Sequence, residues 1–191
     1  MSIDRRKQVI EAATQSFALF GYKATTMDQV AKIAKVGKGT IYTFFTNKEE
    51  LFDEIMNHMI LEMKHVADAE FDPNRSFFEN LNCILSKILD FRDQHELALK
   101  LTYEVRDMGT PQAIEGITRL ENAIVSYIQR KVQNAMDMNE IRACDPEITA
   151  FVMLKMYVAL ASDWQRSHPK LAKEQIATLF QLYLMDGLGI Y

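Results

Sequence analysis

Apolar residues return every three or four positions along this chain, and an alternating strand pattern is nowhere found. A chain written with that period folds as helices packed on helices. The chain breakers agree: seven glycines and four prolines in 191 residues leave room for long regular elements and short joints. Ile10, Ala13, Phe17 and Phe20 form one stripe of a first helix, with Asp4 as its cap and Gly21 as its stop. Thr26-Met27-Asp28-Gln29 is a capping-box pattern and opens a short second helix through Ala34, with Val30, Ala31 and Ala34 facing inward. After Lys35-Val36-Gly37 a third short helix is expected over residues 38–45. Asn47 can cap a fourth, much longer helix that carries Leu51, Ile55, Met59 and Met63 and ends before Asp72-Pro73. Further helices are expected at 74–92, 95–107, 111–138, 146–167 and 169–188. Thr110-Pro111 and Asp145-Pro146 each put a capping residue before a proline at the first helical position. The expected fold class is therefore all-α, with about nine helices, no internal repeat and no low-complexity linker.

Composition bounds the function classes. The chain is 48% apolar and 25% charged, an ordinary globular balance. No signal-like start is present, and the apolar run near 151–161 is broken by Lys155, so no membrane-spanning segment is expected. Cys83 and Cys144 are far apart without metal-ligand spacing, which fits unpaired thiols in a reducing cytoplasm. The net charge of -4 hides an asymmetry. Residues 1–50 hold eight Lys/Arg against five Asp/Glu, a surplus of three, while the remainder holds 14 against 21, a deficit of seven. A basic amino-terminal end on an acidic protein points to a polyanionic partner.

The stretch GKGTIYTFFTNKEEL, residues 37–51, says which one. Two short helices joined by a tight turn form a helix-turn-helix pattern, whose second member enters the major groove of DNA. Its leading end must be free of bulk where backbone meets phosphate or base edge, and Gly37 and Gly39 supply that clearance. Lys38 between them can reach a phosphate or a guanine edge. Thr40 offers a hydroxyl and a methyl suited to a thymine. Ile41 and Phe45, four apart, should pack inward, and Tyr42 should project outward toward a phosphate. Lys48 adds charge at the amino-terminal end of the fourth helix, where backbone amides already favour an anion. Thr26 and Thr43, the hydroxyls flanking this set, complete the DNA-binding candidates.

The segment TTMDQVAKIAKVGKGTIYTFFTNKEELF resembles the DNA-binding domain of the tetracycline-repressor (TetR) family of bacterial transcriptional regulators. The family pattern is matched at Ala31, Ala34, Val36, Gly39, Thr40, Ile41, Tyr42, Phe45, Lys48, Glu49 and Leu51, over about the first quarter of the chain. Three positions depart from it. Lys35 stands where the family has a turn glycine, which implies either an altered turn or a lysine in a strained conformation. Gly37 replaces a serine, removing a cap and a phosphate contact, and Phe44 replaces a histidine or tyrosine that touches the DNA backbone. The resemblance implies two domains, a helix-turn-helix domain over 1–47 and a helical ligand-binding and dimerisation domain over 48–191. It further implies a cytoplasmic homodimer that binds double-stranded operator DNA, needs no cofactor and catalyses nothing. The expected function is a one-component regulator, a repressor released from a palindromic operator by a small apolar or amphipathic effector.

The residues of the larger domain bear on the same expectation. Segments 151–161 and 176–184 are apolar nearly all round, as helices are that cover a core and a second surface at once. Phe151, Leu154, Leu160, Ile176, Phe180 and Tyr183 are therefore the candidate dimer interface, and central core helices are the other reading. Met59, Met63, Phe78, Leu81, Tyr103 and Trp164 are candidates for an effector pocket, with plain core packing as the alternative. Glu104 and Arg106 could supply a buried charge there or simply a solvated face. Glu54, His58, Glu62 and His65 share one helical stripe, and the Glu62-x-x-His65 spacing occurs in di-iron bundles. Such a site needs a second Glu-x-x-His and glutamates from two more helices; the chain has no second copy, so no metal is assigned. A regulator answering to a protein partner, or to nothing, is the remaining alternative.

Overall fold

A computed structural model describes residues 2–90 and 96–186, apart from the side chains of residues 2–4 and 96. Nine α-helices are found among them, and no strand: α1 (Ser2–Ala24), α2 (Met27–Ile33), α3 (Lys38–Tyr42), α4 (Lys48–Glu70), α5 (Phe77–Asp90), α6 (Glu96–Met108), α7 (Pro111–Asp137), α8 (Pro146–Val158) and α9 (Lys173–Phe180). Helix α8 widens into a π-helical turn at Ala159–Asp163 and ends in a 3-10 turn at Trp164–Arg166. A second π-helical turn, Gln181–Asp186, follows α9. Asp4 lies within α1, its side chain outside the described residues, as are Arg92, His95 and Leu188 at expected helix ends.

The helix boundaries follow from local hydrogen bonds. Asp145 caps α8 by accepting from the amides of Glu147 and Ile148 at 2.9 Å each. Helix α5 begins at Phe77 and not at 74, because Ser76 and Glu79 form a capping box: the Glu79 carboxylate accepts from the Ser76 amide at 2.8 Å and from its hydroxyl at 2.7 Å. Helix α3 stops at Tyr42 because the next turn tightens: Thr43 and Phe44 donate three residues back, to Thr40 and Ile41. Phe45 still bonds to the Ile41 carbonyl, so both side chains turn inward as their spacing required, 0% and 2% exposed.

By compactness the residues fall into two units, Met1–Leu61 with Gln94–Leu120, and Glu62–Asp93 with Glu121–Tyr191. The first unit is built on Val9, Ala13, Phe17, Val30, Ile41, Leu51, Phe52 and Met56, with Leu101 of α6 and Ala113 of α7. Phe17, Tyr22 and Phe52 form a ring cluster, with centroids 4.8–5.8 Å apart. The stripe expected on α1 is only half right. Ala13 and Phe17 are buried, Ile10 is half-buried and Phe20 is exposed, because the inward face runs through Val9, Ala12, Ala13, Ser16 and Phe17. The second unit packs Leu85 and Leu89 of α5 against Ala161, Ile176 and Phe180, with Met156, Tyr157 and Leu160 at the margin.

Candidate nucleic-acid interface

The chain enters the α2–α3 pair through Thr26, whose extended backbone and hydroxyl cap α2 by accepting from the Gln29 amide at 3.2 Å. Helix α2 ends on Ala34, and the turn then passes through Lys35 with φ 53°. The Lys35 amide bonds to the Lys32 carbonyl at 3.2 Å, and Val36 to Ala31 at 3.0 Å. That is a Schellman ending in which the left-handed position, usually glycine, holds a lysine. Of the two readings of this departure, the structure has the strained lysine. Lys35→Gly is therefore expected to raise stability by about 1 kcal/mol, the cost an L side chain carries in this region; an unchanged or lower denaturation midpoint would contradict it.

Gly37 precedes α3 in extended backbone and caps it without a side chain. A Cβ added at Gly37 would meet nothing closer than the Thr40 hydroxyl at 3.6 Å, and one at Gly39 would meet nothing within 4 Å. Neither glycine has a positive φ. This chain's own fold requires glycine at neither position. Around them Lys38, Tyr42 and Thr43 are exposed and Thr40 is half-buried; the Thr43 hydroxyl donates to the Thr40 carbonyl at 2.6 Å. Lys38 is paired with Asp28 of α2, its ammonium 2.9 Å from both carboxylate oxygens, and this pairing holds the lysine above its ordinary pKa.

Lys48 sits differently from its expected place on the anion-facing surface. Its ammonium is half-buried over the Tyr22 ring, 4.2 Å from the centroid, and donates to the carbonyls of Tyr22 at 2.9 Å and Thr25 at 3.0 Å. Burial pushes its pKa down, against the opposing charges of Glu49 and Glu104. Two of its three N–H groups thus tie α4 to the end of α1 and the connector after it. Asp28 was missed as part of this surface; this carboxylate partner of Lys38, ten residues away, lies on a different helix, beyond any helical spacing rule.

The effector candidates fall in both units. In the first unit Met59 and Tyr103 are half-buried. In the second, Met63, Phe78 and Leu81 are half-buried, while Trp164 is 41% exposed and stacks on His168 at 3.9 Å. The second unit also carries a cleft of about 290 Å³ lined by Lys64, Asp68, Tyr127, Arg130, Lys131, Gln133 and Asn134, polar where the expected cavity is apolar. Among the described residues no group of three or more His, Cys, Asp or Glu side chains comes together as metal ligands do. The interface candidates divide: Leu154, Ile176 and Phe180 are buried within the second unit and Leu160 is half-buried, whereas Phe151 and Tyr183 are 50% and 47% exposed.

A family model described as bacterial regulatory proteins, tetR family, matches residues 9–55, from within α1 to the first turns of α4. The HTH-type transcriptional regulator YhgD of Bacillus subtilis (strain 168) is 54% identical over 189 residues, 99% of each chain. The chain belongs to the tetR family. It is a DNA-binding transcriptional regulator of that family, not an enzyme. Another relative, the HTH-type transcriptional repressor SCO4008 of Streptomyces coelicolor, is 27% identical over 82% of this chain and 76% of its own. Among solved structures, the fatty acid degradation regulator FadR from Bacillus halodurans superposes with TM-score 0.76 at 17% identity, covering 95% of this chain and 96% of that one. Salmonella enterica GusR gives 0.75 at 21% identity, over 93% and 94%. These two share the all-helical tetR-family fold.

Proposed function

We propose that this tetR-family regulator is a cytoplasmic, homodimeric repressor that holds a palindromic operator and is released by a small apolar or amphipathic effector. Residues 1–47 read the DNA; residues 48–191 dimerise and receive the effector. Repression is the role named for the Streptomyces relative. No described helix is long and apolar enough to cross a membrane. Met63, Phe78 and Leu81 are the proposed effector contacts of the second unit. The dimer face is proposed on the apolar side chains that the folded chain leaves exposed on α8 and after α9: Ile148, Phe151, Val152, Leu182, Tyr183 and Met185.

Gly39, inside the first turn of α3, carries the DNA reading. A solvent-exposed glycine at the start of a helix that its own fold has no use for costs the free protein helix stability. Its presence is explained by a surface that must come close, and the groove of a duplex is that surface. Lys38, Thr40, Tyr42 and Thr43 then face the DNA, with Thr26 and Lys48 at the edges on phosphates. Gly39→Ala separates the two demands. It is expected to leave the free protein as stable or more stable, by about 0.5 kcal/mol, and to weaken an operator selected from a random duplex pool at least about tenfold, roughly 1.4 kcal/mol. Operator binding by Gly39→Ala at wild-type strength would remove the support for this reading.

A further inference from the structure

Among the described residues Glu104 is the one charged side chain that is buried, 6% exposed. It lies on α6 in the first unit, one turn beyond Leu101 on the same inward stripe. Its carboxylate accepts from two successive backbone amides near the end of α1, Tyr22 at 2.6 Å and Lys23 at 2.9 Å. Those amides need a side-chain acceptor because Gly21, at φ 83° and ψ 173°, interrupts the helix just before them. Three carbonyls of the connector are held too. The Thr25 hydroxyl donates to the Gly21 carbonyl at 2.8 Å, and Lys48 takes the carbonyls of Tyr22 and Thr25. So, of the five residues before the Thr26 cap, two amide donors are held by α6 and two carbonyl acceptors by α4.

We infer that Glu104 is a positioning residue for DNA reading, one that sets the direction in which α2 and α3 leave α1. A carboxylate is a costly group to bury if the position only had to be filled. What it alone supplies is two acceptors in one plane, matched to consecutive amides, which fixes the angle of the connector as well as its distance. The fit is close: a Cβ on Gly21 would stand 2.3 Å from a Glu104 oxygen, so the carboxylate occupies space that only glycine leaves open. Because α2 starts at Met27, three residues after Ala24, a change of angle there is carried to every side chain on α3.

The inference rests on the DNA-binding reading above, and Glu104→Gln tests it against that reading. Glutamine keeps the shape but presents N–H groups where an acceptor is needed. The full-length variant is expected to bind the selected operator at least about tenfold more weakly per active molecule. Its dependence of log affinity on log salt should be shallower by about one or more, since misdirected α3 helices lose phosphate contacts. A merely structural role would lower the active fraction and leave affinity per active molecule and salt slope as in wild type; that result overturns the inference. In wild type, hydrogen exchange at the Tyr22 and Lys23 amides should be as slow as in the helix cores. Rapid exchange at both overturns it even if the variant fails to fold. Wild-type protein that bound no duplex would instead sink the DNA reading itself, and this inference with it.

Discussion

Gly21→Ala should be among the most damaging single-methyl changes this chain can take. Residue 21 combines φ 83° with ψ 173°, a region essentially closed to L side chains and costing on the order of 1–3 kcal/mol when forced. The added Cβ would also come within 2.3 Å of the Glu104 carboxylate, which must withdraw. Withdrawal leaves the buried Tyr22 amide unsatisfied, at about 1–3 kcal/mol, with a smaller cost at the part-buried Lys23 amide. The sum, roughly 2–6 kcal/mol, is a large share of the 5–15 kcal/mol that typically holds a domain together. The expected result is a fall in thermal midpoint on the order of 10 °C or more. Gly109→Ala is the control: φ there is 62°, but a Cβ meets nothing within 4 Å, so only the backbone cost of about 1 kcal/mol applies. Equal effects at the two glycines would mean that the Glu104 contact contributes nothing.

Phe151→Asp is expected to convert the regulator into a folded monomer that has lost most of its operator affinity. Phe151 is half exposed, so an aspartate there is hydrated in the free protomer and costs the fold little. Buried against a twofold partner the same aspartate is an unpaired charge, several kcal/mol unfavourable in each subunit. With the two reading heads unlinked, the second half-site no longer benefits from high effective concentration, and apparent affinity should fall by about 10²–10⁴. Sedimentation and operator binding measured together check this. A Phe151→Asp protein that still sediments as a dimer would place the interface elsewhere. Phe180→Asp would be the wrong probe: at 5% exposure, packed with Leu85, Leu89 and Ile176, it belongs to the core of the second unit, and a charge there unfolds that unit.

Much of what local periodicity and capping carry was legible in the sequence, although the α1 stripe and the bounds of α3 and α5 were only partly so. The helical period gave an all-α chain, and Thr26, Asp145 and the Ile41/Phe45 spacing placed caps and inward faces where they are found. The left-handed backbone at Lys35 was one of the two readings left open by a residue standing where the family's turn has glycine, and the structure decided between them. The caps and inward faces depend on hydrogen bonds or side chains no more than a few residues apart, so the order of residues determines them. What only tertiary structure decided lies at longer range. Glu104 is 82 residues from Tyr22, and its place on the stripe of Leu97 and Leu101 was a usable signal, yet burial of a carboxylate makes sense only once the broken end of α1 is opposite it. Lys48 looked like a surface cation because its partners, the carbonyls of Tyr22 and Thr25, are backbone groups that no pattern of side chains displays. Segments 151–161 and 176–184 were apolar on all sides, and composition cannot say which side faces its own chain. Packing with α5 took Ile176 and Phe180 inward and left Phe151 and Tyr183 outside, because a helix face is assigned by the neighbours it meets and not by its own residues.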